Sequence, residues 1–250
     1  MVDILILAAL PMEVRPFLRR VKARRCGKWS ARTWEFAAGQ GRGVAAVTGM
    51  GGSAGRAAQE LLARYRPGVL VSVGFGGALT SDLAPGEVVF GQSIRHFQPD
   101  TGELEEISTP APPRPIAALI QGLARAGLSG VAGNLITTPC IMDKARQGQP
   151  LSHLPHAVVD LESSVLAGLA AARGLPWLGL RAITDGAEEE IPDFLRVEKT
   201  PGVLDALGWL ARDPRRLVRL IRLRRRARLA AARLAQVLEL LIPLLLPKEG

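Results

Sequence analysis

Short apolar runs, each closed by glycine, proline or an acidic residue, alternate along this chain with alanine- and leucine-rich stretches of helical spacing. That alternation restricts the chain to an α/β fold. Residues 2–10 read as a first buried strand, followed by a helix in which Val14, Phe17, Leu18 and Val21 share a face and Pro16 falls in the first turn. Residues 44–48 form a second strand, running into Gly49-Met50-Gly51-Gly52, after which Ser53 is expected to cap a helix reaching Tyr65. Residues 69–73 read as a strand ending in a glycine-rich turn, Gly74-Phe75-Gly76-Gly77. Further strands are expected over 86–90, 157–161 and 177–183, with helices over 116–126 and 162–173.

The 250 residues, 48% of them hydrophobic, suffice for one large α/β domain. The formal charge of +9 is unevenly placed. From Arg212 onward there are 11 Lys/Arg against 3 Asp/Glu, whereas the preceding residues carry 21 against 20. The expected division is therefore a catalytic domain over 1–211 and a basic amphipathic C-terminal helical extension over 212–250. Cys26 and Cys140 are too few for a disulfide framework and lack metal-ligand spacing, so a reducing, cytoplasmic setting is expected. No metal and no cofactor is expected; His153 and His156 lack a nearby acid or cysteine partner.

Three acids, Glu13, Glu162 and Asp185, each fall just past the end of an apolar run. Open α/β sheets bind ligands at such an edge, and partly desolvated carboxylates there are suited to acid–base work. Taken singly, each acid reads more simply as a helix cap or a solvated side chain; three together, with glycine-rich loops at the same edge, favour a site.

The run Ile4 to Val14 resembles the opening strand and Met-Glu-Glu-Glu-Val segment of the 5′-methylthioadenosine/S-adenosylhomocysteine nucleosidases, within the purine nucleoside phosphorylase superfamily. Val159-Asp160-Leu161-Glu162-Ser163 is similar to that family's Val-Glu-Met-Glu-Ala, and Arg181-Ala182-Ile183-Thr184-Asp185 to its Arg-Ala-Ile-Ser-Asp. Gly49-Met50-Gly51 and the Gly74 turn resemble its glycine-rich loops. The resemblance implies a three-layer αβα sandwich around a mixed, partly barrel-like central sheet. It also implies a homo-oligomer that cleaves the N-glycosidic bond of a purine, preferably adenine, nucleoside. Carried over by motif, Glu13 would activate water and Asp185 would support protonation of the leaving base at N7. Glu162 would hold the ribose hydroxyls, Leu161 would pack on the sugar, and Thr184 would support Asp185 through its hydroxyl. Asp160, Phe75, Gly76, Gly77 and Gly51 complete the expected substrate-binding set.

Water is favoured over phosphate as nucleophile. The related phosphorylases carry an arginine and a serine where this chain has Ser72 and Phe75, although backbone amides and Arg15 leave an anion site conceivable. The family's adenine-stacking phenylalanine has no counterpart among Cys140, Ile141 and Met142.

The extension reads as a basic amphipathic helix from Asp213-Pro214, followed by an apolar run from Leu240 to Leu246 that is too short and proline-broken for a membrane span. An anionic membrane surface is one expected partner, packing on the domain or a second subunit another; nucleic acid ranks below both for want of interleaved aromatics. A similar extension marks the hopanoid-biosynthesis branch of the family, which removes adenine from adenosylhopane, and that activity is the alternative within the enzyme class. Gly49-Met50-Gly51-Gly52-Ser53-Ala54 also fits a dinucleotide-binding fingerprint, so an oxidoreductase or a non-catalytic nucleotide-binding module is the alternative outside it.

Overall fold

The structure is a computed structural model that describes residues 1–27, 31–189 and 214–246. Its strands are β1 (Val2–Ala8), β2 (Arg24–Cys26), β3 (Arg32–Ala38), β4 (Gly41–Val47), β5 (Pro67–Ala78), β6 (Val88–Gln98), β7 (Glu103–Glu106), β8 (Val131–Thr137), β9 (Ala157–Asp160) and β10 (Trp177–Asp185). The helices are α1 (Pro11–Arg20), α2 (Gly52–Tyr65), α3 (Ile116–Arg125), α4 (Lys144–Gln147), α5 (Ser163–Ala171) and α6 (Pro214–Leu245).

All ten strands join one mixed sheet ordered β10-β6-β8-β9-β5-β1-β4-β3-β2, with β7 on β6 and a further pairing of β10 with β5. That last pairing closes β5, β10, β6, β8 and β9 into a barrel, while β1 to β4 continue from β5 as an open wing. The three-layer, partly barrel-like architecture implied by the resemblance is what the chain adopts.

Alternation along β1 divides the core. Ile4 and Ile6 point into a cluster with Phe17 of α1, Leu119 of α3 and Leu234 and Leu238 of α6. Leu5 and Leu7 point the other way, toward Leu61 of α2 and Leu166 of α5. The segment expected as an extension thus contributes to the core, because Ala230, Leu234, Leu238, Leu241 and Leu245 are buried in the cluster with α1 and the sheet. The helix runs on through Pro243. The boundary expected at 211/212 lies outside the described residues.

Two expectations are corrected. Gly74 to Gly77 is strand, not turn: β5 continues to Ala78, pairing with β10 and then with β9. The glycines serve close approach, since a Cβ on Gly76 would lie 2.2 Å from Val158 Cγ1 and one on Gly77 2.7 Å from Asp185 Oδ2. The cap of α2 is Gly51, with φ of 58°, rather than Ser53, whose hydroxyl donates back to the Met50 carbonyl. The left-handed backbone there suits glycine.

Candidate functional site

A cavity opens where β1, β5 and β10 end. Glu13, Glu162 and Asp185 all line it, but they do not arrive from one edge of parallel strands. β1, β5 and β10 run parallel, whereas β9 runs antiparallel to β5, meeting it at Gly77–Val159. Barrel closure, rather than a shared edge, brings Glu162 to the other two.

Glu13 is the third residue of α1, a helix begun by Pro11 in a position that needs no backbone donor. Its Oε2 accepts the Leu10 amide at 2.7 Å, half of a capping box, so the helix-cap reading is correct as far as it goes. Its Oε1 accepts the Phe75 amide from β5 at 3.0 Å, which aims the carboxyl into the cavity. Burial pushes the Glu13 carboxyl up from its ordinary range, against the lowering by these amides and by Arg181. Gly74 makes room for it: a Cβ there would stand 3.2 Å from Oε1.

Asp160 ends β9, and its carboxylate is saturated by protein donors. Oδ1 accepts Thr137 Oγ1 at 2.8 Å and the amides of Glu162 and Ser163 at 3.2 and 3.1 Å. Oδ2 accepts the Ser163 hydroxyl and Arg181 Nε, the latter at 2.6 Å. Asp160 therefore lines the cavity with no oxygen left for a ligand, and what it does is fix the turn that carries Glu162. Glu162 Oε1 accepts the Gly51 amide at 3.2 Å, and among the described residues its second oxygen has no protein donor. Burial, reinforced by the neighbouring charge of Asp160 and opposed by Arg181, pushes Glu162 up to about 7. The Gly51 amide that a pyrophosphate would need faces a carboxylate instead, which removes the basis for the dinucleotide reading.

Asp185 closes β10 beside Gly77. Its Oδ1 accepts the Thr184 hydroxyl at 2.7 Å, and its Oδ2 accepts Lys144 Nζ at 2.6 Å. Lys144 also donates to the Gly186 carbonyl. Both ends of this pair are buried. Leu161, Phe75, Gly76 and Gly77 line the same cavity, together with Ile141 and Met142, so its apolar wall is aliphatic, thioether and, at Phe75, aromatic. Cys140 is exposed.

Sequence reasoning passed over two residues. Arg181 stood in a quoted motif with no role, although a lone charge inside an apolar strand signals a buried partner. It is 2% exposed, and besides Asp160 it donates to the carbonyls of Ser72 and Leu180 and to Ser72 Oγ. Lys144 carried no signal, because its segment resembled nothing. Arg15 does not reach the cavity; it lines a separate basic groove with Arg19, Lys22, Arg25 and Arg32. Among the described residues no cluster of three His, Cys, Asp or Glu side chains could hold a metal.

A sequence profile described as the Phosphorylase superfamily matches residues 3–206. The 5′-methylthioadenosine/S-adenosylhomocysteine nucleosidase of Shewanella halifaxensis is 27% identical over 177 residues, 64% of this chain and 77% of that one. Among solved structures, the nucleosidase of that name from Colwellia psychrerythraea, in complex with adenine, superposes with a TM-score of 0.73 at 17% identity, over 99% of this chain and 97% of its own. The S-adenosylhomocysteine nucleosidase of Streptococcus pyogenes, in complex with 5-methylthiotubericidin, superposes at 0.71 and 20% identity, over 99% and 98% of the two chains.

Proposed function

The chain belongs to the phosphorylase superfamily, and from that premise we propose that it hydrolyses the N-glycosidic bond of a purine nucleoside, releasing adenine. The observation that carries this reading is the spacing of two carboxyls along β5. Glu13 is bonded at Phe75 and faces Gly74, while Asp185 sits beside Gly77. Three strand residues span about 10 Å, room for a sugar carrying a water on one side and a base on the other.

In this reading Glu13 takes a proton from water as the oxygen bonds to C1′. The C1′–N9 electron pair withdraws into the purine, whose N7 is protonated on the Asp185 side. Glu162, with its free oxygen, holds the ribose hydroxyls, a contact that strengthens as the sugar gains positive charge. Leu161 packs on the sugar, and Thr184 orients Asp185. Phe75, Gly76, Gly77 and Gly51 contribute the wall and backbone of the pocket. Water is favoured as the nucleophile because, among the described residues, the cations at the cavity are already held by acids: Arg181 by Asp160, with Ser72, and Lys144 by Asp185.

The favoured substrates carry a 5′ thioether, as the relatives' names indicate for those proteins. An adenosyl lipid is the second reading, favoured by the start of α6, where Val218 and Ile221 are exposed beside Arg222, Arg224 and Arg225. Such a surface suits peripheral contact with an anionic membrane on the cytoplasmic side. Among the described residues no helix is long and apolar enough to cross one. Exposed Met50 and Val165 near the cavity favour a homo-oligomer.

The test is release of free base from methylthioadenosine, S-adenosylhomocysteine, inosine and an adenosyl lipid, with and without phosphate. Adenine release that is indifferent to phosphate and lost in Glu13→Gln is the expected result. No base from any nucleoside would overturn the enzymatic reading, and a phosphate requirement would overturn hydrolysis.

A further inference from the structure

The leaving-base side of the pocket contains an ion pair that the roles above do not use. Lys144 is the first residue of α4, a four-residue helix capped by Asp143. Its side chain is only 5% exposed, yet it lines the catalytic cavity. Its ammonium donates to Asp185 Oδ2 at 2.6 Å and to the Gly186 carbonyl. An ammonium has donors only, and the Thr184 hydroxyl donates to the other Asp185 oxygen. The other acceptor of that hydroxyl, the Gly76 carbonyl, is farther away at 3.4 Å, so Asp185 accepts from both neighbours, which is the hydrogen bonding of a carboxylate.

We propose that Lys144 is the proton reserve for departure of the base, a positioning residue that acts through Asp185; the inference rests on the hydrolytic reading above. As the C1′–N9 bond breaks, its electron pair enters the purine and N7 becomes basic. A proton passes from Lys144 Nζ to Asp185 Oδ2 while the Asp185 carboxyl gives one to N7. Lys144 is left a neutral amine and Asp185 again a carboxylate. Water meanwhile adds to C1′ and loses a proton to Glu13. After the products leave, Glu13 returns its proton to solvent and Lys144 takes one up, so the sum is one water added across one bond.

The placement of the reserve explains its burial. Exposed to water, the ammonium would be solvated and its contact with Asp185 weakened. Held between a carboxylate and a backbone carbonyl, it has one productive direction of transfer. The Gly186 carbonyl also fixes Nζ when the Asp185 contact loosens during catalysis.

The experiment compares wild type, Lys144→Gln and Lys144→Arg on two substrates, methylthioadenosine and 4-nitrophenyl riboside, whose leaving group departs without a proton. For Lys144→Gln, kcat on methylthioadenosine is expected to fall about 100-fold, within the range general acids supply, with KM changed less than about threefold. Hydrolysis of 4-nitrophenyl riboside is expected to stay within about threefold of wild type. Lys144→Arg keeps the charge but yields no proton, and its kcat on methylthioadenosine is expected to stay low. Equal loss on both substrates would show a merely structural role, and recovery in Lys144→Arg would show that charge alone suffices; either result overturns the proposal while leaving hydrolysis standing. Wild type inactive on both substrates would overturn the two together.

Discussion

The Gly51 amide donates to Glu162 Oε1 at 3.2 Å, joining the loop after β4 to the turn after β9 across 111 residues of chain. This single bond satisfies one carboxylate oxygen and leaves the other for a ligand, in surroundings that push Glu162 up to about 7.

If Glu162 must be ionised to grip ribose, kcat/KM follows its titration in the free enzyme. It is expected to be level above about pH 7.5 and to approach a tenfold drop per pH unit below about pH 6.5. Initial rates at subsaturating substrate between pH 5 and 9 measure this. An acid limb centred near 4.5 would contradict it.

The same titration bears on stability, with the opposite sign. The folded value of about 7 lies above the ordinary 4.5, so the folded chain binds the proton more tightly than the unfolded one. Its contribution is fully present below about pH 4.5 and is lost as pH rises through about 7. Glu162→Gln, which keeps an acceptor for Gly51 and carries no charge, is expected to be more stable than wild type at pH 8.5, by up to about 3 kcal/mol. Urea unfolding at pH 5 and 8.5 reads the difference, which should shrink at the lower pH.

Glu13→Gln is expected to lower kcat by about 10² to 10⁴ with a smaller change in KM, since a general base acts in the transition state. The Glu13 charge also raises Glu162. Residual activity of Glu13→Gln should therefore show its acid limb displaced to lower pH, which a rate profile of the variant checks.

Gly77→Ala places a methyl 2.7 Å from Asp185 Oδ2. Displacement of the carboxyl is expected to cost about 10²-fold in kcat, as small misplacements of reacting groups do. Gly76→Ala meets Val158 at 2.2 Å instead, and its effect is expected mainly in stability, about 1–3 kcal/mol of overpacking. Kinetics and thermal unfolding of the two variants separate these outcomes.

Arg181→Met leaves Asp160 buried without its charge partner, with Ser72 also stripped of its donor. Breaking a buried pair from one side costs about 3–5 kcal/mol. Denaturant unfolding is expected to show this loss, and the double variant Arg181→Met/Asp160→Asn to recover part of it.

The apolar runs were legible because buried strands need them: β1, β10 and the start of β5 stand where sequence spacing put them. β2, β3, β7 and β8 escaped notice. Glu103–Glu106 is wholly exposed and Arg24–Cys26 nearly so, and neither has the hydrophobic alternation that marks a strand. β3 sets Trp34 and Phe36 among Arg32, Glu35 and two alanines, β8 mixes glycine, alanine and asparagine with its apolar residues, and pairing to neighbours decides the conformation of both. Within the site, Glu13, Glu162 and Asp185 were visible because each follows an apolar run. The partners of Asp160, namely Thr137, Ser163 and Arg181, were not legible, because only the folded barrel assembles them. Lys144 lies on a four-residue helix in an irregular segment, and no periodicity points from there to a residue 41 positions away.

The last helix has a consequence in time. Every residue placed in the cavity lies between Ala9 and Asp185, yet the apolar face that seals the sheet behind α1 comes from residues 227–245, and Arg226 grips Glu189 in the loop after Asp185. A chain emerging from the ribosome thus holds these cavity-lining residues before it owns the wall that steadies them. A chain released before residue 227 is left with an open flank that includes Ile4, Ile6, Val14 and Phe17 for quality control to recognise.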